Sequence, residues 1–404
     1  MPFAQGIKKQ TIFGTQTGLG VPKTGAGGQI LRRRNSIFTA SRDMFENDEI
    51  VSHQQSTGVA YGLKKVEGQI ESLLSAGTFK DLIAAGLRKA FATTAAYVGG
   101  TDVTATVTAP QFVDAGGGYL TAGLKVGDVG RWTGFTAGGV GNNARNFLIT
   151  ALTTNNMSGI FLDGLPAAAK TSGDSVTFTV VGKKSLVPLT GHTDVFFTFE
   201  EWYSDLARSE RFDDCKIGSI SLNLPATGNA SISFGIVGLA RTLDASQSFT
   251  SPTAETVTAV MSALNGSILV QGAKVTNITG AQITIDGGMK AVGAVLGSNV
   301  SPDMDRGRIK VSGSFTALFD AITLQSLYDA ETPISLVVVV STDPSATADF
   351  MTFTMGRIKL TGDAPDDGEK SILRTYPFTA ELNSAGGAAL AWDQTIITIQ
   401  DSQA

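Results

Sequence analysis

The sequence contains the same pattern twice, and this feature constrains the fold more than any other. Residues 65–85 read KVEGQIESLLSAGTFKDLIAA, and residues 310–330 read KVSGSFTALFDAITLQSLYDA. The two segments align without a gap at an offset of 245, with eight identical positions among 21, where average residue usage gives about one or two. Mismatches such as Ile70/Phe315 keep apolar character. We therefore expect two copies of one structural unit, and we favour a self-associating protein over an enzyme.

A second pair of segments extends the duplication. Residues 217–222 and 355–360 both read apolar-Gly-x-Ile-x-Leu, the alternation typical of a half-buried strand. In the first copy 132 residues separate the two segments (85 to 217), whereas in the second copy 25 do so (330 to 355). The roughly one hundred extra residues of the first copy are enough for an inserted domain.

Each copy is predicted to contain strands followed by one helix. Strands are expected at Ser36–Ile50 and Gly58–Ser72, where polar and apolar residues alternate. Thr78, with Asp81 three residues later, fits an acidic capping box and predicts the start of an amphipathic helix; Thr323 takes the same place in the second copy. The predicted fold class is mainly β, with two homologous sandwich or half-barrel units, each flanked by one helix.

Residues 94–185 have a different sequence pattern, in which short predicted strands alternate with turns rich in Gly, Asn and Thr. They predict a small inserted β domain on the outside of any assembly, because surface loops tolerate insertions. The predicted domains are an extended N-terminal arm at 1–35, a first repeat at 36–93 and 186–245, the insert at 94–185, and a second repeat at 246–404.

Basic residues are concentrated at the N-terminus. Residues 1–34 carry six basic and no acidic residues, so the net charge of −5 leaves −11 on the remaining chain. This Gly-rich segment lacks a periodic apolar pattern, and alone it is expected to be disordered. We expect an acidic patch of a neighbouring subunit to hold it; the alternative is a nucleic-acid-binding tail. The candidate contacts between stacked rings are Lys8, Lys9, Lys23, Arg32, Arg33 and Arg34.

The sequence predicts no catalytic, cofactor or metal site. It has two histidines, His53 and His192, and one cysteine, Cys215, and it lacks metal-binding spacings such as C-x-x-C. Glu200, Glu201 and Asp205 are the residues that a glycan-active enzyme would use. Their adjacency in sequence favours instead an acidic surface or a subunit contact.

No membrane location is expected. The N-terminus has charge but no apolar core segment typical of a signal peptide. The longest apolar stretch, near Ile334–Val340, is far too short to span a bilayer.

Two homologous units in one chain can occupy two positions of a ring, in which strands join edge to edge and no open edge remains. Three chains would give six such positions. The bore would be lined by polar, partly acidic side chains that repel phosphate, so that DNA slides through it. The candidate lumen residues are Glu67, Gln69, Glu71, Ser312, Ser314 and Thr316.

Several segments outside the arm and the insert resemble the major tail tube proteins of long-tailed, non-contractile bacteriophages. They are N-D-E-I at 47–50, K-V-x-G-x-I within 62–77, E-E-W-Y-S-D at 200–205 with S-E-R-F at 209–212, the strand at 217–225, and D-D-G-E-K at 366–370 leading into Y-P-F at 376–378. The resemblance implies a β-sandwich tube fold, stacked rings and DNA passage through the lumen. Duplicated members resemble trimers that imitate a hexamer.

The resemblance also implies a place in the virion tail, with assembly in the bacterial host cytoplasm. The partners it implies are other copies of the chain, a tape-measure protein, transiting DNA, and terminator and tail-tip proteins. An alternative is another β-rich virion component, such as a fibre or a host-surface-binding protein, and a less favoured one is a glycan-active enzyme.

Overall fold

The computed structural model describes residues 3–53, 55–94, 96–109, 111–320, 322–366 and 369–404. Ala321 of the repeated segment, and Asp367 and Gly368 of the segment 366–370, lie outside the described residues. The fold is mainly β with two α-helices in the described part of the chain, one in each repeat. The predicted fold class is confirmed.

The chain starts with strands of the first repeat and continues into the insert. The first repeat begins with β1 (Lys9–Thr15), β2 (Ala26–Ile30), β3 (Asn35–Glu46), β4 (Val59–Leu73) and α1 (Lys80–Leu87). The insert contains β5 (Tyr97–Val98), β6 (Val103–Ala105), β7 (Phe112–Asp114), β8 (Val129–Thr133), β9 (Phe147–Leu152), β10 (Asn156–Phe161) and β11 (Thr177–Val180).

After the insert come β12 (Lys183–Leu186), β13 (Phe197–Tyr203), β14 (Arg208–Leu224), β15 (Ser231–Gly238), β16 (Ala240–Asp244) and β17 (Ser251–Thr253). The second repeat contains β18 (Gly266–Val270), β19 (Ala273–Val275), β20 (Ile278–Asp286), β21 (Met289–Ala291), β22 (Met304–Arg306), β23 (Lys310–Leu318), α2 (Thr323–Asp329), β24 (Ile334–Ser341), β25 (Phe350–Leu360), β26 (Ala364–Asp366), β27 (Leu373–Ala380) and β28 (Thr398–Asp401).

The repeated hairpins share one hydrogen-bonding register. In β3–β4 Ser41 pairs with Lys65, and in β20–β23 Asp286 pairs with Lys310, so that both partners lie 245 residues further along the chain. Beyond a shift of register, Met44 pairs with Tyr61, and the same offset places Met289 opposite Arg306 in β21–β22. The duplication is therefore present in the strand pairing as well as in the sequence.

The two repeats join into one sheet of eight strands. The strand order is β3-β4-β15-β14 in the first repeat and β20-β23-β27-β25 in the second, where β26 continues β25 along the same side of β27. At the junction β14 pairs antiparallel with β20. The junction runs from Ser219 opposite Asp286 to Leu224 opposite Ala281. The two repeats thus occupy neighbouring positions along a continuous wall.

The long strands β14 and β25 take part in a second layer. The first half of β14 pairs with β13 and β16, and the first half of β25 pairs with β24 and β28. The register of pairing shifts near Gly218 in β14 and near Gly356 in β25, which lets each strand pass between the layers. The apolar faces of both layers form the main core, as in a sandwich.

The N-terminal segment is not an extended arm. β1 pairs with β13 and β2 pairs with β1, so residues predicted as the arm at 1–35 belong to the second layer of the first repeat. Ile12, Phe13 and Leu31 are buried in the core, and their burial supplies the stabilisation that the segment lacks in isolation. The short apolar run escaped detection because it is embedded in a Gly-rich, basic context.

Thr78 does not cap α1, contrary to the prediction. The helix begins at Lys80 after Phe79, and no side chain caps it. The Thr78 hydroxyl lies 2.7 Å from the hydroxyls of Ser75 and Thr256 instead. Thr323 is the first residue of α2, so it does not occupy the cap position either.

The insert forms its own seven-stranded sheet in the order β5-β11-β8-β9-β10-β7-β6. Its core is rich in aromatic rings, with Trp132 packed among Tyr97, Phe112, Phe135 and Phe178. The domain boundaries assigned to the insert and to the repeats stay a prediction.

The insert packs on the second repeat, although the sequence places it within the first. Val129 and Leu148 of the insert share a buried cluster with Leu269, Val337 and Phe350. Two lysines make polar contacts across the same interface. The Lys125 ammonium donates to the carbonyls of Gly387, Ala388 and Leu390 at 2.6–2.7 Å, and Lys184 lies between the carboxylates of Asp128 and Asp393.

We expect the insert to lose stability in alkali. Burial raises the pKa of Tyr97, and the hydrogen bond of its hydroxyl to Asp114 raises it further; burial also raises the pKa of Tyr119. The unfolded chain releases these protons near pH 10, whereas the folded insert retains them. The stability is therefore fully present below pH 10 and is lost as the pH rises above it.

The measurement is an alkaline titration followed by tyrosinate absorbance and near-UV circular dichroism. Tyr97→Phe together with Tyr119→Phe should make the unfolding transition less dependent on pH above 10. Tyr61→Phe, at an exposed tyrosine, is the matched control. An identical alkaline transition in the double variant and the control would contradict the prediction.

Candidate assembly surfaces

One face of the eight-stranded sheet is mostly polar. Along β4 the side chains of Val66, Ile70 and Ser72 are buried, whereas alternate residues are exposed. Strand pairing continues the exposed row across the junction, from Glu71 through Ser233, Ser221, Thr284 and Ser312 to Thr379. Small hydroxyl side chains dominate this polar face.

All six candidate lumen residues lie on the polar face. Glu67, Gln69 and Glu71 are exposed on β4, and Ser312 is exposed on β23. Ser314 and Thr316 are half-buried on the same side of β23, and the hydroxyl of Thr316 lies 2.9 Å from that of Thr375. The structure thus brings the six residues together on one surface, and their place in a lumen stays a prediction.

The polar face carries charges of both signs, whereas the sequence favoured an acidic lining. Glu67 and Glu71 lie in the first repeat, but Lys310 stands opposite Asp286 at the start of the second. Lys359 extends the basic contribution beside Thr379. The lysines escaped notice because only three positions of each repeated segment were assigned to the lining.

The sheet has an open edge at each end. Among the described residues β3 pairs only with β4, and β26 pairs only with β27. The N–H group of Leu74 donates to the carbonyl of Ala230, which directly precedes β15, so the main-chain groups of Leu74 point towards β15. Main-chain groups of alternate residues point to the same side of a strand, and Val66 lies eight residues before Leu74 in a regular register. The main-chain groups of Val66 therefore also point towards β15. Ala40 lies opposite Val66, and its own N–H and C=O therefore point away from β4, out of the sheet.

Sequence reasoning missed this open edge. The signal that could have found it is the 245-residue offset, which relates Ala40 to Ile285 and Phe38 to Ile283. Both of those β20 residues lie within the pairing with β14. A strand whose counterpart is paired inside the chain is a candidate for pairing outside it.

Among the described contacts, the charged side chains of three of the six basic N-terminal residues bind groups of their own chain. The Lys9 ammonium lies 2.6 Å from Glu201 and donates to the carbonyl of Ser36 at 2.8 Å. Arg32 donates to the carbonyl of Thr258, and Arg33 donates to that of Lys9. The acidic partner expected on a neighbouring subunit is, for Lys9, on the same chain. Lys8 and Arg34 are exposed, and Lys23 is half-buried.

The acidic residues considered for glycan chemistry have structural partners. Adjacent residues of a strand point to opposite faces, so Glu200 and Glu201 on β13 are directed apart. Glu200 is fully buried and accepts hydrogen bonds from the Ser209 hydroxyl and from the amides of Ser248 and Phe249. Asp205 accepts a bond from the amide of Gln5. This geometry does not form the facing carboxylate pair that hydrolysis requires.

The remaining ionisable residues form no site. Within the described ranges no group of three or more His, Cys, Asp or Glu residues could hold a metal ion. Cys215 is buried, and burial raises the pKa of its thiol, which makes it unreactive. His53 and His192 are exposed.

The tips of the two hairpins expose apolar side chains. Met44, Phe45 and Tyr61 are more than 60% exposed in the first repeat, and Leu296 is fully exposed in the second. A cleft of about 920 Å3 lies between the two tips and is lined by Phe45, Tyr61 and residues 289–299. Exposed apolar patches of this kind mark contact surfaces.

No helix in the described part of the chain is long and apolar enough to cross a membrane. A search of curated proteins gives no match to this chain. A family model described as phage tail tube protein matches residues 4–380, nearly the whole chain. The edge-to-edge repeats, the polar face and this match lead to the same assignment: the chain belongs to the phage tail tube protein family and is a structural component of the virion tail.

Proposed function

We propose that three copies of this chain close into a ring and that the rings stack into the hollow tube that conducts DNA. The proposal rests on the junction of β14 with β20, where the edge strand of one repeat pairs with the edge strand of the next. The open edges of β3 and β26 repeat this relation at the two ends of the chain. A second copy can pair its β3 with that β26 edge, and successive copies close the wall.

The number three rests on the duplication. Each chain supplies two homologous repeats, so three chains supply the six positions that the resemblance to duplicated tube proteins implies. Closure also removes both open edges, which would otherwise pair without limit. A ring is therefore the arrangement that leaves no strand edge exposed.

The polar face would line the lumen. Its Ser and Thr hydroxyls hydrate well, and its mixed charges include Glu67, Glu71 and Asp286 beside Lys310 and Lys359. No continuous basic stripe is present among the described residues of this face, so the phosphates of passing DNA would find no chain of strong contacts. This surface supports sliding of DNA and accommodation of a tape-measure protein.

Contacts between rings would use the hairpin tips and the exposed basic residues. The apolar side chains at the tips are exposed, and a second ring can cover them. Lys8, Lys23 and Arg34 remain our candidates for contacts with the acidic body of the adjacent ring. Terminator and tail-tip proteins would cover the same surfaces at the ends of the tube.

The experiment is negative-stain imaging of the purified protein at a series of concentrations. We expect rings or tubes of constant diameter, with three-fold symmetry in end-on class averages. Scattered monomers at all concentrations would overturn the ring proposal. Separate elongated particles would favour the alternative of a fibre or a host-surface-binding protein.

A further inference from the structure

The second layers of the two repeats begin in the same way. A 3-10 turn at Gly6–Lys8 leads directly into β1, and a 3-10 turn at Ala263–Asn265 leads directly into β18. β1 then pairs with β13 and β18 pairs with β24, each antiparallel. By this alignment Phe3 corresponds to Val260, and Ala4 corresponds to Met261.

The segment before β18 covers the first repeat. Val260 forms a bridge with Ser75, next to the start of α1. The amide of Met261 donates to the Leu74 carbonyl at 2.9 Å, and the Met261 carbonyl accepts from the amide of Ala230 at 3.0 Å. Met261 is fully buried. This segment therefore fills a gap between the end of β4 and the start of β15.

In the described part of the chain, no segment pairs at the equivalent place in the second repeat. Phe319 corresponds to Leu74, and Ile372 corresponds to Ala230, since the Phe319 amide donates to the Ile372 carbonyl as Leu74 does to Ala230. Among the described residues no main-chain group bonds to the Phe319 carbonyl or to the Ile372 amide. Phe319 is 40% exposed and Ile372 is 44% exposed, whereas Leu74 is fully buried.

The helices show the same contrast. α1 buries Leu82, Ile83, Gly86 and Leu87, whereas α2 has no buried residue. Leu327 is the counterpart of Leu82 at the 245-residue offset, yet it is only half-buried. Among the described residues, α2 is therefore less covered than α1.

Phe3 and Ala4 have the position and the exposure expected of a segment that would pair between Phe319 and Ile372. Phe3 is 90% exposed, and it precedes β1 as Val260 precedes β18. α2 belongs to the second repeat, and in a ring the repeat that follows it is the first repeat of the neighbouring chain. The same neighbour brings β3 to the β26 edge, just as the second repeat brings β20 to β14.

We propose that Phe3 and Ala4 of one chain dock between Phe319 and Ile372 of the neighbouring chain in the ring. This inference rests on the proposed ring. The Ala4 amide donates to the Phe319 carbonyl, and the Ala4 carbonyl accepts from the Ile372 amide. The Phe3 ring covers the exposed apolar surface at the start of α2. Each chain thus binds its neighbour through main-chain pairing of residues 3 and 4.

Cysteine cross-linking tests the contact. Met261 and Leu74 lie directly opposite each other beside the antiparallel bridge, a separation that a disulfide can span. Ala4→Cys combined with Phe319→Cys should give a covalent trimer on a non-reducing gel after mild oxidation. The single native cysteine, Cys215, is buried and does not compete.

Ile7→Cys combined with Phe319→Cys is the matched control. Ile7 corresponds to Leu264, which is 84% exposed, so this pair should stay monomeric on the gel. The same samples are imaged by negative stain. Rings without a cross-link at Ala4, or a cross-link within single chains, would overturn the inference while the ring stands. A wild-type protein without rings overturns both proposals.

Discussion

Replacing Ala40 with proline should leave a folded monomer of 42.0 kDa that forms neither rings nor tubes. The Ala40 amide points out of the sheet at the open edge of β3, so its loss removes no hydrogen bond within the chain. Proline is tolerated on edge strands for this reason. Its ring occupies the place where the strand of a neighbouring chain would approach, and it also removes a donor.

The control for this change is Ala40→Ser, which keeps the amide and nearly the same volume. Sedimentation velocity measures assembly, and far-UV circular dichroism checks that the strands remain. We expect Ala40→Ser to assemble as the wild type does. Tubes of normal length from the proline variant would show that β3 is not the edge at which chains join.

Replacing Gln400 with alanine should loosen the insert from the second repeat. The Gln400 amide donates to the carbonyls of Val129 and Val181 at 2.8 and 2.7 Å, and its oxygen accepts from the Val129 amide at 2.8 Å. Gln400 is buried, so truncation removes the partner of the Val129 amide and of the Val181 carbonyl, whereas the Val129 carbonyl still accepts from the Val181 amide at 3.0 Å. A loss of about 3 kcal/mol at this interface follows from the penalty for unpaired buried groups.

Amide hydrogen exchange measures this effect locally. A loss of about 3 kcal/mol corresponds to roughly a hundredfold faster exchange, and the faster exchange should include the Val129 amide. Gln403→Ala is the control, because Gln403 is exposed and bonds to Asp349 at the surface. Unchanged exchange in the insert of the Gln400 variant would show that apolar packing alone holds the interface.

The repeats and the polar face were predictable because both depend on local sequence. The segments 65–85 and 310–330 carry their alternation within a single strand, which fixes the buried and exposed faces. Glu67, Gln69 and Glu71 could therefore be assigned to one side of β4 without knowledge of its neighbours. The helices were found from the same segments, although neither threonine takes the cap position that was expected of it.

The N-terminal strands and the open edges could not be predicted in this way. Ile12 and Phe13 are buried only because β1 pairs with β13, nearly two hundred residues away. The outward direction of Ala40 depends on which residues of β4 bond to β15. Both features arise from pairing between distant strands, which residue propensity does not encode.

The strand β28 has a consequence for the timing of synthesis. It pairs with β12 beside the insert and with β25 of the second repeat, and the Asp401 carboxylate accepts from the amide of Gly77 at the start of α1 in the first repeat. These few residues are translated after every other strand they join. A nascent chain on the ribosome therefore lacks the strand that contacts both repeats until translation has passed Asp401.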